Sequence, residues 1–156
     1  MMRVLLVVLA VGLGWWSPVL AGTQNGGLAV SYVTPKGDFD QVVGDGIGLS
    51  SIFDYPLGGN VVNISGSLAY YRFSGITLLE GTNVKSESTS LWEFSGGPQL
   101  DFGRLYMGVE AGYYTNLDEW GLVPNLGLRK DMVDVSFRYK MTDDGKFMAV
   151  RVGFFF

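Results

Sequence analysis

The stretch Lys146-Phe147-Met148-Ala149-Val150-Arg151-Val152-Gly153-Phe154-Phe155-Phe156 reads KFMAVRVGFFF and ends on three phenylalanines. Terminal residues of a water-soluble domain usually fray into solvent, where apolar side chains gain nothing. In an extended strand, side chains alternate between two faces. Met148, Val150, Val152, Phe154 and Phe156 then share one face, and Phe147, Ala149, Arg151, Gly153 and Phe155 share the other. The first face requires an apolar surrounding.

The same alternation recurs along the chain, while helical spacing does not. Leu28, Val30 and Tyr32 oppose Ala29 and Ser31, and Ile47, Leu49 and Phe53 oppose Gly46, Gly48 and Ser50. Val62, Ile64, Leu68 and Tyr70 oppose Asn63, Ser65, Ser67 and Ala69; Trp92, Phe94 and Leu100 oppose Glu93, Ser95 and Gln99. Leu105, Met107, Val109, Ala111 and Tyr113 oppose Tyr106, Gly108, Glu110 and Gly112. Leu122, Leu126 and Leu128 oppose Asn125, Gly127 and Arg129, and Val133, Val135, Phe137 and Tyr139 oppose Asp134, Ser136, Arg138 and Lys140. With the terminal segment this makes eight predicted strands.

Connections after the even strands are short: Pro56 to Asn60, Asp101 to Arg104, and Lys130-Asp131. Those after strands one and three are long and polar, Thr34 to Asp45 and Ser74 to Ser88; Asn116 to Glu119 and Met141 to Gly145 are acidic. Short turns at one end and longer loops at the other describe an up-and-down transmembrane β-barrel. Strands of about ten tilted residues cross a bilayer.

Aromatic residues orient the faces. Tyr32, Tyr70, Trp92, Tyr113, Trp120 and Tyr139 lie on the apolar face near the long-loop end, and Phe53, Phe102 and Phe156 near the other. Tyr and Trp, apolar with one polar tip, suit a membrane interface. The inverse arrangement, a lipocalin-like barrel with its apolar face inside, fails on volume. The large rings lie on the apolar face, whereas a narrow eight-stranded lumen favours Gly, Ser, Ala and Asn. Glu93, Glu110 and Asp134 share the small-residue face with Arg129, Arg138 and Arg151, where opposite charges pair in a filled lumen. On a lipid face each basic residue would cost about 2–4 kcal/mol near the midplane.

The amino terminus carries Arg3, an apolar run from Val4 to Trp16, a Ser17-Pro18 break and Ala21, which predicts a signal peptide over residues 1–21 cleaved after Ala21. Residues 22–156 then form one barrel domain of 135 residues (156 − 21) with net charge −5 (10 − 15), which argues against nucleic acid. Zero cysteines exclude a disulfide framework and thiolate metal sites.

The ending VRVGFFF, the girdles, the strand count and the leader resemble the small eight-stranded outer-membrane β-barrel family, the group of OmpX-like proteins and the transmembrane domain of OmpA-like proteins. The resemblance covers about residues 26–156 and implies an all-β, antiparallel, up-and-down barrel in a Gram-negative outer membrane. It implies Val150, Val152, Phe154 and Phe156 as a signal for the barrel-assembly machinery, with outer-membrane lipid and lipopolysaccharide as partners. Pro98 and Pro124 interrupt predicted strands, and Gly96-Gly97 before Pro98 suggests a bulge.

Chemistry is sparse. There is no histidine, the usual base near neutral pH, so no enzyme is expected, although a lipid-modifying enzyme or a narrow pore remain alternatives. Ser88, Ser90, Glu87 and Lys85 read as loop filler, and Gly44-Asp45-Gly46-Ile47-Gly48 as a strand rather than a phosphate loop. Asp38, Asp40 and Asp45 match no calcium-loop spacing. No catalytic residue, metal or cofactor is expected, and the surface ligand is left open. The loop residues Asp38, Asp40, Asp45, Glu80, Glu87, Asp118, Glu119, Asp143 and Asp144 against Lys36, Lys85 and Lys146 give the rim a charge near −6 (3 − 9). Solubility explains that charge first, and divalent cations bridging to lipopolysaccharide second. Arg72, just beyond Tyr70, is expected at the height of lipid phosphates.

Overall fold

A computed structural model describes residues 26–37, 41, 43–58, 61–75, 88–143 and 145–156. The leader over residues 1–21 and the loop residues Asp38, Asp40, Glu80, Lys85, Glu87 and Asp144 lie outside them. Eight strands follow one another: β1 (Gly26–Lys36), β2 (Val43–Gly58), β3 (Val62–Gly75), β4 (Thr89–Phe102), β5 (Leu105–Tyr114), β6 (Glu119–Lys130), β7 (Val133–Met141) and β8 (Lys146–Phe155). Each pairs antiparallel with its sequence neighbour, and β8 returns to β1, so the sheet closes into a barrel with no free edge.

The register sets the shape. From Pro56 the pairing runs through Asn63, Gln99, Gly108, Asn125, Arg138, Ala149 and Val33, and returns to β2 at Gly46. One circuit therefore shifts the chain by ten residues (56 − 46). At about 3.3 Å per residue and about 4.8 Å between eight strands, that stagger tilts the strands by about 40°.

Strands run further into the connections than the alternation alone predicted. β2 begins at Val43, so Asp45 belongs to it, and its far end includes Pro56. A tilted ladder keeps gaining backbone hydrogen bonds beyond the apolar band, so pairing outlasts the hydrophobic pattern. The β4–β5 hairpin turns on Gly103, whose φ of +74° is the left-handed conformation that tight hairpins demand.

Both doubtful prolines are accommodated without a bulge. The β4–β5 register is the same on either side of Gly97-Pro98, with Gly96 opposite Ala111 and Gln99 opposite Gly108. The Asp101 nitrogen donates to the Val61 carbonyl at the start of β3, so by alternation the Pro98 nitrogen faces β5, at one of the two pairs missing from that ladder. Likewise the Arg129 nitrogen donates toward β5, so the Pro124 nitrogen faces β7, where pairing lapses between Leu122 and Asn125. Each missing donor falls at a gap in one ladder while the other continues, so the bulge expected at Gly96-Gly97 is absent.

Facing follows the period of two. Leu28, Val30, Leu49, Phe94, Val109, Leu126, Val135, Phe137 and Val152 are outside and exposed. Ser31, Ser50, Ser65, Ser67, Gln99, Asn125 and Ser136 are inside and buried. The volume expectation for the lumen needs correction. Tyr71, Phe73, Tyr106, Tyr114, Phe147 and Phe155 are also inside and fully buried. Glycines on neighbouring strands make the room, since a Cβ at Gly48 would overlap the Tyr71 ring and one at Gly127 the Tyr106 ring. The small residues are there to admit large ones.

Candidate functional site

The lumen and the outer wall carry the functional groups. In the middle of the lumen, Arg138 of β7 donates to both carboxylate oxygens of Glu110 of β5, at 3.0 and 2.6 Å. Glu110 also accepts from Ser95 at 2.5 Å, Asn125 at 3.1 Å and Ser65 at 3.3 Å. Arg138 reaches Glu93 of β4 at 3.5 Å, and Glu93 pairs in turn with Lys140, whose ammonium also donates to the Tyr71 hydroxyl. Arg138, Lys140, Glu93 and Glu110 are all buried. Four charges out of water are tolerable because each is paired and its remaining hydrogen-bonding capacity largely taken up.

Toward the long-loop end, an aromatic plug covers this cluster. Phe147 meets Tyr71, Phe73 and Tyr114 edge-on at centroid separations of 6.3, 5.9 and 5.7 Å. The Lys140 ammonium lies 4.0 Å from the Tyr71 ring centroid, a cation–π contact.

A second cluster fills the short-turn half. Arg129 of β6 reaches across the lumen to Asp54 of β2 and contacts Asp134 of β7 at 3.4 Å. Asp134 accepts from Tyr106 at 3.1 Å and approaches Arg151 at 3.8 Å. The Arg129 guanidinium covers the Phe155 ring at 4.0 Å. Asp101 accepts from Asn63 at 2.6 Å and Gln99 at 2.7 Å.

All six predicted lumen residues therefore face inward, but in two groups: Glu93, Glu110 and Arg138 above, Arg129, Asp134 and Arg151 below. Sequence reasoning missed Lys140 and Asp54, which supply a cation to the upper group and an acid to the lower. Alternation carried the signal for both, since Lys140 shares the parity of Asp134 and Arg138, and Asp54 that of Gly48 and Ser50.

On the outside, Tyr70 and Trp92 meet as tilted rings with centroids 5.0 Å apart and Tyr113 and Trp120 with centroids 5.4 Å apart, each pair on neighbouring strands. Tyr32 and Tyr139 complete that level, with Tyr32 donating to Asp45 at 2.5 Å and Tyr113 to Asp118 at 2.6 Å. Phe53, Phe102 and Phe156 are exposed at the other end. On β8 the outward row from Met148 to Phe156 spans eight residue steps (156 − 148), or about 20 Å of height at this tilt. An apolar band of about 25 Å suits a bilayer.

Ser90 sits on the outer face of β4, and Arg72 is outward and exposed beyond Tyr70. Gly46 and Gly48 continue β2, against Phe73 and Tyr71, so the glycine-rich stretch is strand. Among the described residues no cluster of acids, cysteines or histidines could hold a metal ion.

No protein-family model matches the sequence, and none of the curated proteins compared is similar to it. Solved structures are. The crystal structure of Ail, the attachment invasion locus protein of Yersinia pestis, aligns with a TM-score of 0.50 at 20% identity, covering 84% of this chain and 93% of that one. The chain has the fold of the small eight-stranded outer-membrane barrels. A second Ail structure, in complex with the heparin analogue sucrose octasulfate, gives a TM-score of 0.49 at 20% identity, covering 84% and 94% of the two chains. At this identity the likeness is one of fold. The barrel shares its strand number and closure with Ail; its lumen chemistry is read from its own residues.

Proposed function

We propose that the protein is an integral outer-membrane barrel, exported by the segment 1–21, with a structural or surface-interaction role and no catalytic activity. One observation carries this reading: the barrel is inverted relative to a water-soluble one. Leu28, Val30, Leu49, Phe94, Val109, Phe137 and Val152 are outside, while Arg138, Lys140, Glu93 and Glu110 are inside and buried. An apolar belt of this size in water would drive aggregation, whereas in a bilayer it is the solvated surface. Backbone closure leaves no unpaired strand edge for lipid to meet.

The filled interior favours a scaffold over a conduit, because ion pairs and the Phe147 plug lie across the axis. Partners in this reading are outer-membrane lipid, lipopolysaccharide at the rim, and the barrel-assembly machinery, which would read Val150, Val152, Phe154 and Phe156 as an outward-facing apolar row. The surface ligand would be met by the long-loop end.

Membrane fractionation with gel migration tests the reading. The protein is expected in the outer-membrane fraction, with the unheated detergent extract migrating differently from the heated one. Recovery in the soluble periplasm, or identical migration before and after heating, rules the reading out.

A further inference from the structure

The outward faces of β5 to β8 do not form a smooth belt. Leu105, Leu128 and Val135 make one apolar ridge, and Leu126, Phe137 and Val150 make the next, each set joined by cross-strand pairing. All six are exposed. Between the ridges the floor is the paired backbone of Gly127 and Ser136, both inward residues, and the trough has a volume of about 290 Å³. It crosses three strand spacings, about 14 Å, and at this tilt climbs about 9 Å away from the short-turn end. That keeps it within the nearer half of an apolar band of about 25 Å.

Two cations stand at its foot. Lys130 continues the outward row of Leu126 and Leu128, two residues (130 − 128) nearer the turn, and is exposed. Arg104 is exposed in the β4–β5 turn, and its carbonyl accepts from the Arg129 nitrogen at 2.7 Å, which sets it beside Lys130. Arg129 itself is committed to Asp54 and Asp134 in the lumen. Among the described residues Arg104 and Lys130 have no ion pair, not even with Asp131, exposed at the same turn. The remaining short turn, from Pro56 to Val61, contains no lysine or arginine. The two free cations of this end therefore both lie under the trough.

We propose that the trough seats one acyl chain of a glycerophospholipid from the leaflet next to the short turns, with its phosphate held between Arg104 and Lys130. This rests on the outer-membrane reading above and adds the lipid class and the stretch of wall that holds it. In a bilayer, burial of apolar surface selects no position by itself, because lipid tails are as apolar as leucine. A trough adds van der Waals contact on two walls as well as the floor. The phosphate accepts the charge-assisted hydrogen bonds that neither cation makes within the chain. A soluble anion would use the cations and leave the trough idle, whereas a phospholipid uses both.

The test uses the full mature barrel in detergent micelles doped with equal amounts of phosphatidylglycerol and a diacylglycerol of the same chains, with retained lipid counted by native mass spectrometry. Wild type is expected to retain one phosphatidylglycerol in preference to diacylglycerol by about tenfold or more, as two surface cations predict. Arg104→Gln/Lys130→Gln should fall to near parity. Val135→Phe, which fills the trough from its lower ridge, should lower retention of both lipids at least fivefold while the cations stay in place. Lys36→Gln/Lys146→Gln, at the opposite end of the barrel, should change neither result. Parity in wild type, an unchanged preference in the Arg104/Lys130 variant, or unchanged retention in Val135→Phe overturns the site. So does displacement of the lipid by millimolar glycerol phosphate, which would mark a site for the soluble anion. A wild-type chain that shows no heat-dependent gel shift instead defeats the membrane-barrel reading itself.

Discussion

Arg138 holds Glu110 through both of its terminal nitrogens, at 3.0 and 2.6 Å, in a buried layer where Ser65, Ser95 and Asn125 complete the carboxylate's hydrogen bonds. This pair joins β5 to β7 across the lumen, with β6 between them along the wall. Breaking it strands a buried charge. Glu110→Ala is expected to destabilise the barrel by about 3–5 kcal/mol, whereas replacing both partners with apolar residues of similar volume, Glu110→Leu with Arg138→Met, should cost much less. Denaturant unfolding in lipid vesicles measures both. A loss below about 0.5 kcal/mol for Glu110→Ala would show a wet, loosely filled lumen.

Glycines beneath the interior rings should tolerate no side chain. Gly48→Ala places a Cβ inside the Tyr71 ring and should cost about 1–3 kcal/mol, displacing the hydroxyl that Lys140 donates to. Gly96→Ala is the control, because its nearest contact is the Ser65 carbonyl at 3.5 Å. There the substitution should be neutral or stabilise by up to about 1 kcal/mol. Equal losses at the two positions would contradict the packing described.

Depth on the outer wall should appear in arginine substitutions. Val152 lies halfway along the outward row of β8 between Met148 and Phe156. Val152→Arg is expected to lower stability in bilayers by about 2–4 kcal/mol, and Thr34→Arg, above the girdle, by about 0–1 kcal/mol. Unfolding midpoints in vesicles give the comparison, and equal effects would place the membrane elsewhere on the barrel.

Conductance tests the filled lumen. The purified barrel in a planar bilayer should show no ohmic steps. Phe147→Ala should also stay silent, because the Arg138–Glu110 layer still crosses the axis beneath the plug. Regular steps from the wild type would revive the narrow-pore reading.

Strand number and the identity of each face could be read from the chain alone, because a strand's period of two assigns each side chain to a face using only its neighbours. Phe147, Arg151 and Phe155 point inward for the same local reason that Val150, Val152 and Phe154 point outward. What no local pattern carried was the ten-residue stagger of closure, seen where the circuit from Pro56 returns to Gly46. That stagger is a property of all eight ladders together, and it decides which residues meet across the lumen. It brings Asp54 of β2 to Arg129 of β6 and Glu93 of β4 to Lys140 of β7. The register of single hairpins, by contrast, sets Tyr71 over Gly48 and Tyr106 over Gly127, so that large rings fit inside. Closure opposes Lys36 to Lys146 through the pairing of the first strand with the last. Facing is a local consequence of backbone geometry, but register is non-local, fixed only when the last strand closes on the first and every buried charge has found a partner.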